Sequence, residues 1–252
     1  MKSFFSLSLV LMISVSTSCV QTKNSPLVIG HRGARGYVAE NTVASVKKAL
    51  ELGVDGIEID VFRCKTGELV VFHDQTLEKL TNASGYIEQL DLDSIRKITV
   101  LDKEPIPTLS EVLDVIDGKV TLNIELKGSQ TALPTISLLK IYFESGKLTP
   151  HDVFISSFNW EELTLFYQES NGIPIAVLTE GDPLDAIPIA NKLNAFAINP
   201  DFKSLTKSNV QKMHKAGFEV YPWTINSYED IDYMKSIGVD AIITDFPDRV
   251  NP

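Results

Sequence analysis

Cysteine is almost absent: Cys19 and Cys64 are the only two in 252 residues. That excludes a multi-bridge disulfide framework, and no Cys/His cluster has zinc-site spacing. Histidine is scarce as well, four in all, so the place of each one matters. Positive charge is in deficit, 23 Lys and Arg against 33 Asp and Glu, for a formal charge of −10. Such a balance argues against nucleic acid as a partner. No apolar run reaches the ~20 residues that a membrane-spanning helix requires. Internal repeats, low-complexity tracts and a second domain are also missing. What remains is a chain that is 44% hydrophobic, of a length that suits one large globular domain.

The first eighteen residues stand apart from the fold. Lys2 precedes a mostly apolar core, Phe4 to Val15, and Ser16-Thr17-Ser18 are small residues before Cys19. Twelve residues cannot cross ~30 Å of hydrocarbon as a helix, so residues 1–18 read as a signal peptide. Small residues directly before a cysteine resemble a bacterial lipobox, although serine replaces the usual leucine three places upstream. The expectation is an exported protein, lipidated on Cys19 and held to a bacterial membrane by that anchor alone. Residues 19–26 then form a polar tether, and 27–252 a single catalytic domain. Cys64 is left unpaired.

Chemistry concentrates in GIEIDVFRCKTGELVVFHD, residues 56–74. Glu58 and Asp60 sit two apart in an apolar run, and a strand turns alternate side chains to one face. A turn signal at Lys65-Thr66-Gly67 follows, then a second strand-like run ending in His73-Asp74. A parallel return needs a dozen or more residues, so the two runs form an antiparallel hairpin. Folding about Thr66 sets His73 opposite Ile59, between the two carboxylates in register.

Short β-prone runs then alternate with helical patterns. Strands are expected at 27–30, 55–61, 120–126, 153–156, 173–178, 195–199, 218–223 and 241–244. Helices are expected at 42–52, 109–116, 131–145, 160–170, 183–193, 206–216 and 228–237. Eight strands alternating with helices indicate an α/β fold, a (β/α)8 TIM barrel. The long gap after the second strand holds the hairpin and a small cap, an insertion at about 62–107 with a short helix at 91–98.

In such barrels chemistry sits at the C-terminal ends of the strands. Those ends supply His31-Arg32, Glu58 and Asp60, Glu125 and Lys127, Trp223 and Asp245, with His73 on the hairpin. Three carboxylates in one mouth raise each other's pKa until some protonate, unless a cation neutralises them. An all-oxygen set suits one Mg²⁺ or Ca²⁺. A histidine pair can act as general base and general acid, while Arg32 and Lys127 attract an anion. Together these point to phosphoryl transfer. Asn41 most simply caps the next helix. Asp245 either positions groups in the mouth or serves the turn before Phe246-Pro247. His151 and His214 are expected at the surface.

The run GHRGARGYVAENTVASVKKALELGVDGIEIDV, with ELVVFHD, LNIELK, ISSF, WTIN and ITDFP, resembles the glycerophosphodiester phosphodiesterase family. The pieces lie in order from about Val28 to Pro247. The resemblance implies a distorted TIM barrel that hydrolyses glycerophosphodiesters to glycerol 3-phosphate and an alcohol, using a divalent cation. It implies His31 and His73 as the acid–base pair, with Glu58, Asp60 and Glu125 as metal ligands. Arg32 would hold phosphate, Lys127 would serve phosphate or the metal shell, and Trp223 would line the pocket. Ala39 stands where the family usually has proline, and Lys79-Leu80 where it has Arg-Thr. Two other readings are a related phospholipase D-type enzyme acting on lysophospholipid or sphingophospholipid head groups, and a non-catalytic binding lipoprotein. The sequence is silent on oligomeric state.

Overall fold

The computed structural model describes residues 25–101, 103–170 and 172–251. Residues 1–18, read above as a signal peptide, and Cys19 lie outside the described residues. In chain order the elements are β1 (Leu27–Gly30), α1 (Val43–Glu51), β2 (Gly56–Arg63) and β3 (Leu69–Val71). Next come α2 (Leu92–Ile95), β4 (Thr99–Val100), β5 (Glu104–Pro105), α3 (Leu109–Ile116) and β6 (Thr121–Leu126). Then follow α4 (Ala132–Glu144), β7 (Val153–Ser157), α5 (Trp160–Glu169), β8 (Ile175–Thr179) and α6 (Ile187–Lys192). The chain finishes with β9 (Ala197–Pro200), α7 (Lys207–Lys215), β10 (Glu219–Val220), α8 (Tyr228–Ile237) and β11 (Ala241–Thr244).

The main sheet runs β10-β9-β8-β7-β6-β2-β1-β11, with β3 added to β2. Every neighbour along that path pairs in parallel. Asp240 N–H donates to Val220 O and Ile243 N–H to Pro222 O, both at 3.1 Å, and Ile225 N–H donates to Ile243 O at 3.0 Å. These bonds join the last two strands and close the expected (β/α)8 barrel. Alternation along β2 sorts its side chains. Ile57, Ile59 and Val61 are fully buried in the main core, which also holds Val46 of α1 and Leu113 of α3. Each such burial is worth roughly 1.5–3 kcal/mol. Glu58 and Asp60 therefore face the barrel interior, where a separate cluster includes Ile29, Phe154, Ala197 and Tyr221.

Local chemistry explains the element ends. Thr108 and Glu111 form a capping box that starts α3, and Ser227 caps α8. The helix expected at 183–193 divides into a 3-10 turn, Pro183–Ala186, and α6, because Pro188 has no N–H for the preceding turn. The strand expected at 218–223 shortens to β10 because Pro222 interrupts its ladder, although Tyr221 and Trp223 still donate to Ile198 O and Pro200 O. The helix expected at 91–98 contracts to α2, capped by Asp91.

The hairpin is antiparallel, with Val61 opposite Val71 and Arg63 opposite Leu69. Continued, that register sets His73 opposite Ile59. A regular strand would turn His73 to Ile59's face, away from the carboxylates. The strand ends at Val71 instead, and His73 turns into the mouth. From the end of β2 to α3 the insertion carries its own core of Phe62, Cys64, Val70, Phe72, Leu77, Ile87 and neighbours. Cys64 is buried and unpaired.

Candidate active site

Register decides which carboxylates meet. Because β2 and β6 pair with Asp60 opposite Glu125, both point inward at one height, one pleat above Glu58. One oxygen from each of Glu58, Asp60 and Glu125 lies within 4.8 Å of the others, and all three residues are buried. Their environments differ. Burial, then the charges of Asp60 and Glu125, push Glu58 well above the usual carboxylate range. Burial and Asp60 also push Glu125 up, to about 7, although Lys127 opposes this from 3.0 Å. Asp60 goes the other way: burial works against its charge, but Arg32, His73 and Lys127 hold it below the ordinary value.

Asn41 supports Asp60 with two bonds. Its Nδ2 donates to Asp60 Oδ2 at 2.8 Å, and its Oδ1 accepts from Asp60 N–H at 3.2 Å. Asn41 adopts a left-handed backbone (φ 56°), a conformation that asparagine tolerates better than most residues. The cap of α1 is Thr42, whose hydroxyl accepts from Ser45 N–H, so the capping role expected of Asn41 belongs to its neighbour.

Both histidines of the mouth are backed by aspartates. His31 Nδ1 lies 2.6 Å from Asp245 Oδ1, and its Nε2 lies 3.9 Å from Glu58. Asp245 is itself held by Asn226 Nδ2 at 2.8 Å. Between the two roles left open for Asp245, the structure favours positioning. His73 Nδ1 lies 2.6 Å from Asp74, whose other oxygen meets Lys79 at 3.3 Å. Burial, joined by the charge of Arg32 and, at His73, of Lys127, lowers the pKa of both rings despite the neighbouring aspartates. Arg32 donates its backbone N–H to Glu58 at 2.9 Å, and its guanidinium pairs with Glu40 and Asp60. Burial opposes that charge, but Asp60, Glu40 and Glu58 more than offset it and raise the pKa of Arg32. Glu40, itself buried, also bonds Arg35.

His31, Arg32, Glu58, His73, Glu125, Lys127 and Trp223 line one cavity of about 260 Å³, with Arg35, Phe158 and Glu180 among the further walls. Asp60 lies just beneath, 1% exposed. Trp223 is anchored by a bond from Nε1 to Asn199 O and meets Phe158 edge to face, centroids 5.4 Å apart. A second hollow of about 450 Å³ shares His73 and Lys127 and passes Gln75, Glu88 and Ser129 under the insertion. A cavity of similar size opens at the opposite end of the barrel, among Leu27, Phe154, Phe196 and Tyr221. It has no cluster of paired acids and bases, so the smaller cavity, which has one, is the candidate active site. Of the remaining histidines, His151 is exposed, but His214 is half-buried and bonded to Asp240 at 2.6 Å.

The donor set fits a hard divalent cation. Glu58 Oε1 is buried with no hydrogen-bond partner, and all three clustered groups are oxygens. Sequence reasoning did not reach Glu40, Arg35, Asp74, Asn226, Phe158 and Glu180. Several of these sit in loops, and only the adjacency of Asp74 to His73 was a signal.

Residues 31–249 match the model of the "Glycerophosphoryl diester phosphodiesterase family". A glycerophosphodiester phosphodiesterase of Caldanaerobacter subterraneus is 37% identical, over 89% of this chain and 96% of the relative. One of Bacillus altitudinis is 33% identical, over 88% of this chain and 95% of the relative. The structure of an Oleispira antarctica phosphodiesterase in complex with the product sn-glycerol-3-phosphate superposes with a TM-score of 0.79 at 27% identity, covering 89% of this chain and 95% of that one.

Proposed function

Since this chain belongs to the glycerophosphoryl diester phosphodiesterase family, we propose that it hydrolyses glycerophosphodiesters to glycerol 3-phosphate and an alcohol. The observation that carries this reading is the pair of aspartate-backed histidines bordering three buried, clustered carboxylates in one cavity. Glu58, Asp60 and Glu125 would hold one Ca²⁺ or Mg²⁺. When bound, such a cation would offset most of the negative charge of the three carboxylates and would supply a Lewis acid towards phosphoryl oxygens.

The chain's own groups do the rest. One histidine removes the proton of the attacking oxygen, and the other delivers a proton to the departing alkoxide. Asp245 and Asp74 fix the tautomer of each ring, leaving Nε2 to face the substrate. Lys127 and Arg32 place positive charge where the phosphodiester gathers negative charge. The phospholipase reading requires an acyl groove, but apart from Phe62 and Gly128 the hollow beneath the insertion is walled by polar or charged residues, Asp74, Gln75, Glu88 and Ser129 among them. Those walls suit hydroxyl groups, which favours the glycerophosphodiester reading. The intact acid–base pair favours an enzyme over a binding lipoprotein. We also propose export with lipid on Cys19, supported by the apolar leader and the small residues before that cysteine.

The test is purified protein with glycerophosphocholine or glycerophosphoglycerol, with Ca²⁺, Mg²⁺ or EDTA, following glycerol 3-phosphate. Product release that chelation abolishes is expected. Full activity in EDTA, or no product with either cation, overturns the proposal.

A further inference from the structure

The charged groups that line the reactive cavity are paired, with one exception. Arg32 pairs with Glu40 and Asp60, Arg35 with Glu40, and Lys127 with Glu125. His31 and His73 have their aspartates, and Glu58 accepts from the Arg32 backbone. Glu180, exposed just beyond the end of β8, also lines the cavity. Among the described residues its carboxylate has neither an ion pair nor a hydrogen bond, so the fold makes no evident use of it. Water solvates this exposed carboxylate, but it repels an anionic phosphodiester in the same cavity and would attract a positive group elsewhere on the substrate.

The neighbouring walls agree. Phe158 and Trp223 stand at 88° to one another and form an aromatic corner in the same cavity. Ring faces attract cations, indole most strongly. The Lys127 ammonium already lies over Phe158, 5.5 Å from its centroid. The corner offers little to glycerol hydroxyls, which the second hollow serves better through Gln75, Glu88 and Ser129. Resting on the reading above, we infer that Glu180 and the Phe158–Trp223 corner select glycerophosphodiesters whose alcohol carries an ammonium group.

The inference is tested by kcat/KM for glycerophosphocholine relative to glycerophosphoglycerol, in wild type, Glu180→Gln and Glu180→Lys. An exposed charge pair predicts that Glu180→Gln lowers this ratio roughly fivefold, and that Glu180→Lys lowers it further. The change should appear in KM, because the alcohol's charge is the same in ground and transition states. It should also shrink as salt rises from 0.02 to 0.5 M, an effect that a merely structural loop residue would not produce. Melting temperatures of the variants check folding. A ratio unmoved in both variants, or moved equally at all salt concentrations, overturns the inference while leaving the phosphodiesterase reading intact. A wild type that releases glycerol 3-phosphate from neither diester overturns both.

Discussion

Cation affinity should depend steeply on pH, because a ligand held near neutrality must lose its proton before it can bind metal. Glu125 is pushed from the ordinary 4.5 to about 7 by burial and by Asp60. Competition from a single proton with that pKa weakens binding by about 30-fold at pH 5.5 relative to pH 8 and levels off above about pH 7. Glu58, raised by burial and by its two neighbours, acts in the same direction and steepens the dependence. Isothermal titration of the EDTA-treated protein with Ca²⁺ or Mg²⁺ in buffers of different ionisation heat gives both the affinity and the protons released. About one proton or more should leave per cation near pH 6. The same carboxyls govern metal-free stability. A folded pKa above the unfolded value contributes stability fully present below about 4.5 and lost as pH rises through about 7. For Glu125 the whole effect is about 3 kcal/mol, so added cation should raise the melting temperature more at pH 8 than at pH 5.5. Affinity that is flat from pH 5.5 to 8, or binding that releases no proton, would refute the clustered-ligand account.

His31→Ala and His73→Ala should each lower kcat by about 10²- to 10⁴-fold with cation affinity retained, and the double variant should be little worse than the poorer single one. A nitrophenyl ester, whose leaving group needs no proton, should rescue only the variant that lacks the acid; equal rescue of both would contradict separate roles. Asn41→Ala removes both bonds to Asp60 and should cost roughly 1–3 kcal/mol of stability while weakening cation binding, measured by denaturant melts and titration. An unchanged midpoint and an unchanged affinity would show that these bonds are dispensable. Cys19→Ala should shift the protein from the membrane to the soluble fraction on cell fractionation, with turnover unchanged; an unaltered distribution refutes lipid attachment.

Much of the barrel was legible because its signals are local. The alternation Gly-Ile-Glu-Ile-Asp-Val needs only the two-residue period of a strand to send Glu58 and Asp60 one way and Ile57 and Ile59 the other. Helices α3 and α8 begin and end where capping residues and apolar spacing place them. Short-range chemistry was also where reading was weakest for single residues: Asn41 and Thr42 are both good caps, and only the backbone shows which one turns towards Asp60.

The sequence by itself determined the strand-and-helix alternation, the shared face of Glu58 and Asp60 and the antiparallel sense of the hairpin, because each rests on the geometry of a few consecutive residues. Tertiary structure decided what meets across the barrel. The β2–β6 register sets Asp60 beside Glu125, the end of β3 at Val71 turns His73 from the Ile59 face into the mouth, and closure by β11 brings Asp245 to His31. No local propensity encodes these contacts, because a one-residue slip between strands leaves every strand's own pattern intact while turning its side chains to the other face.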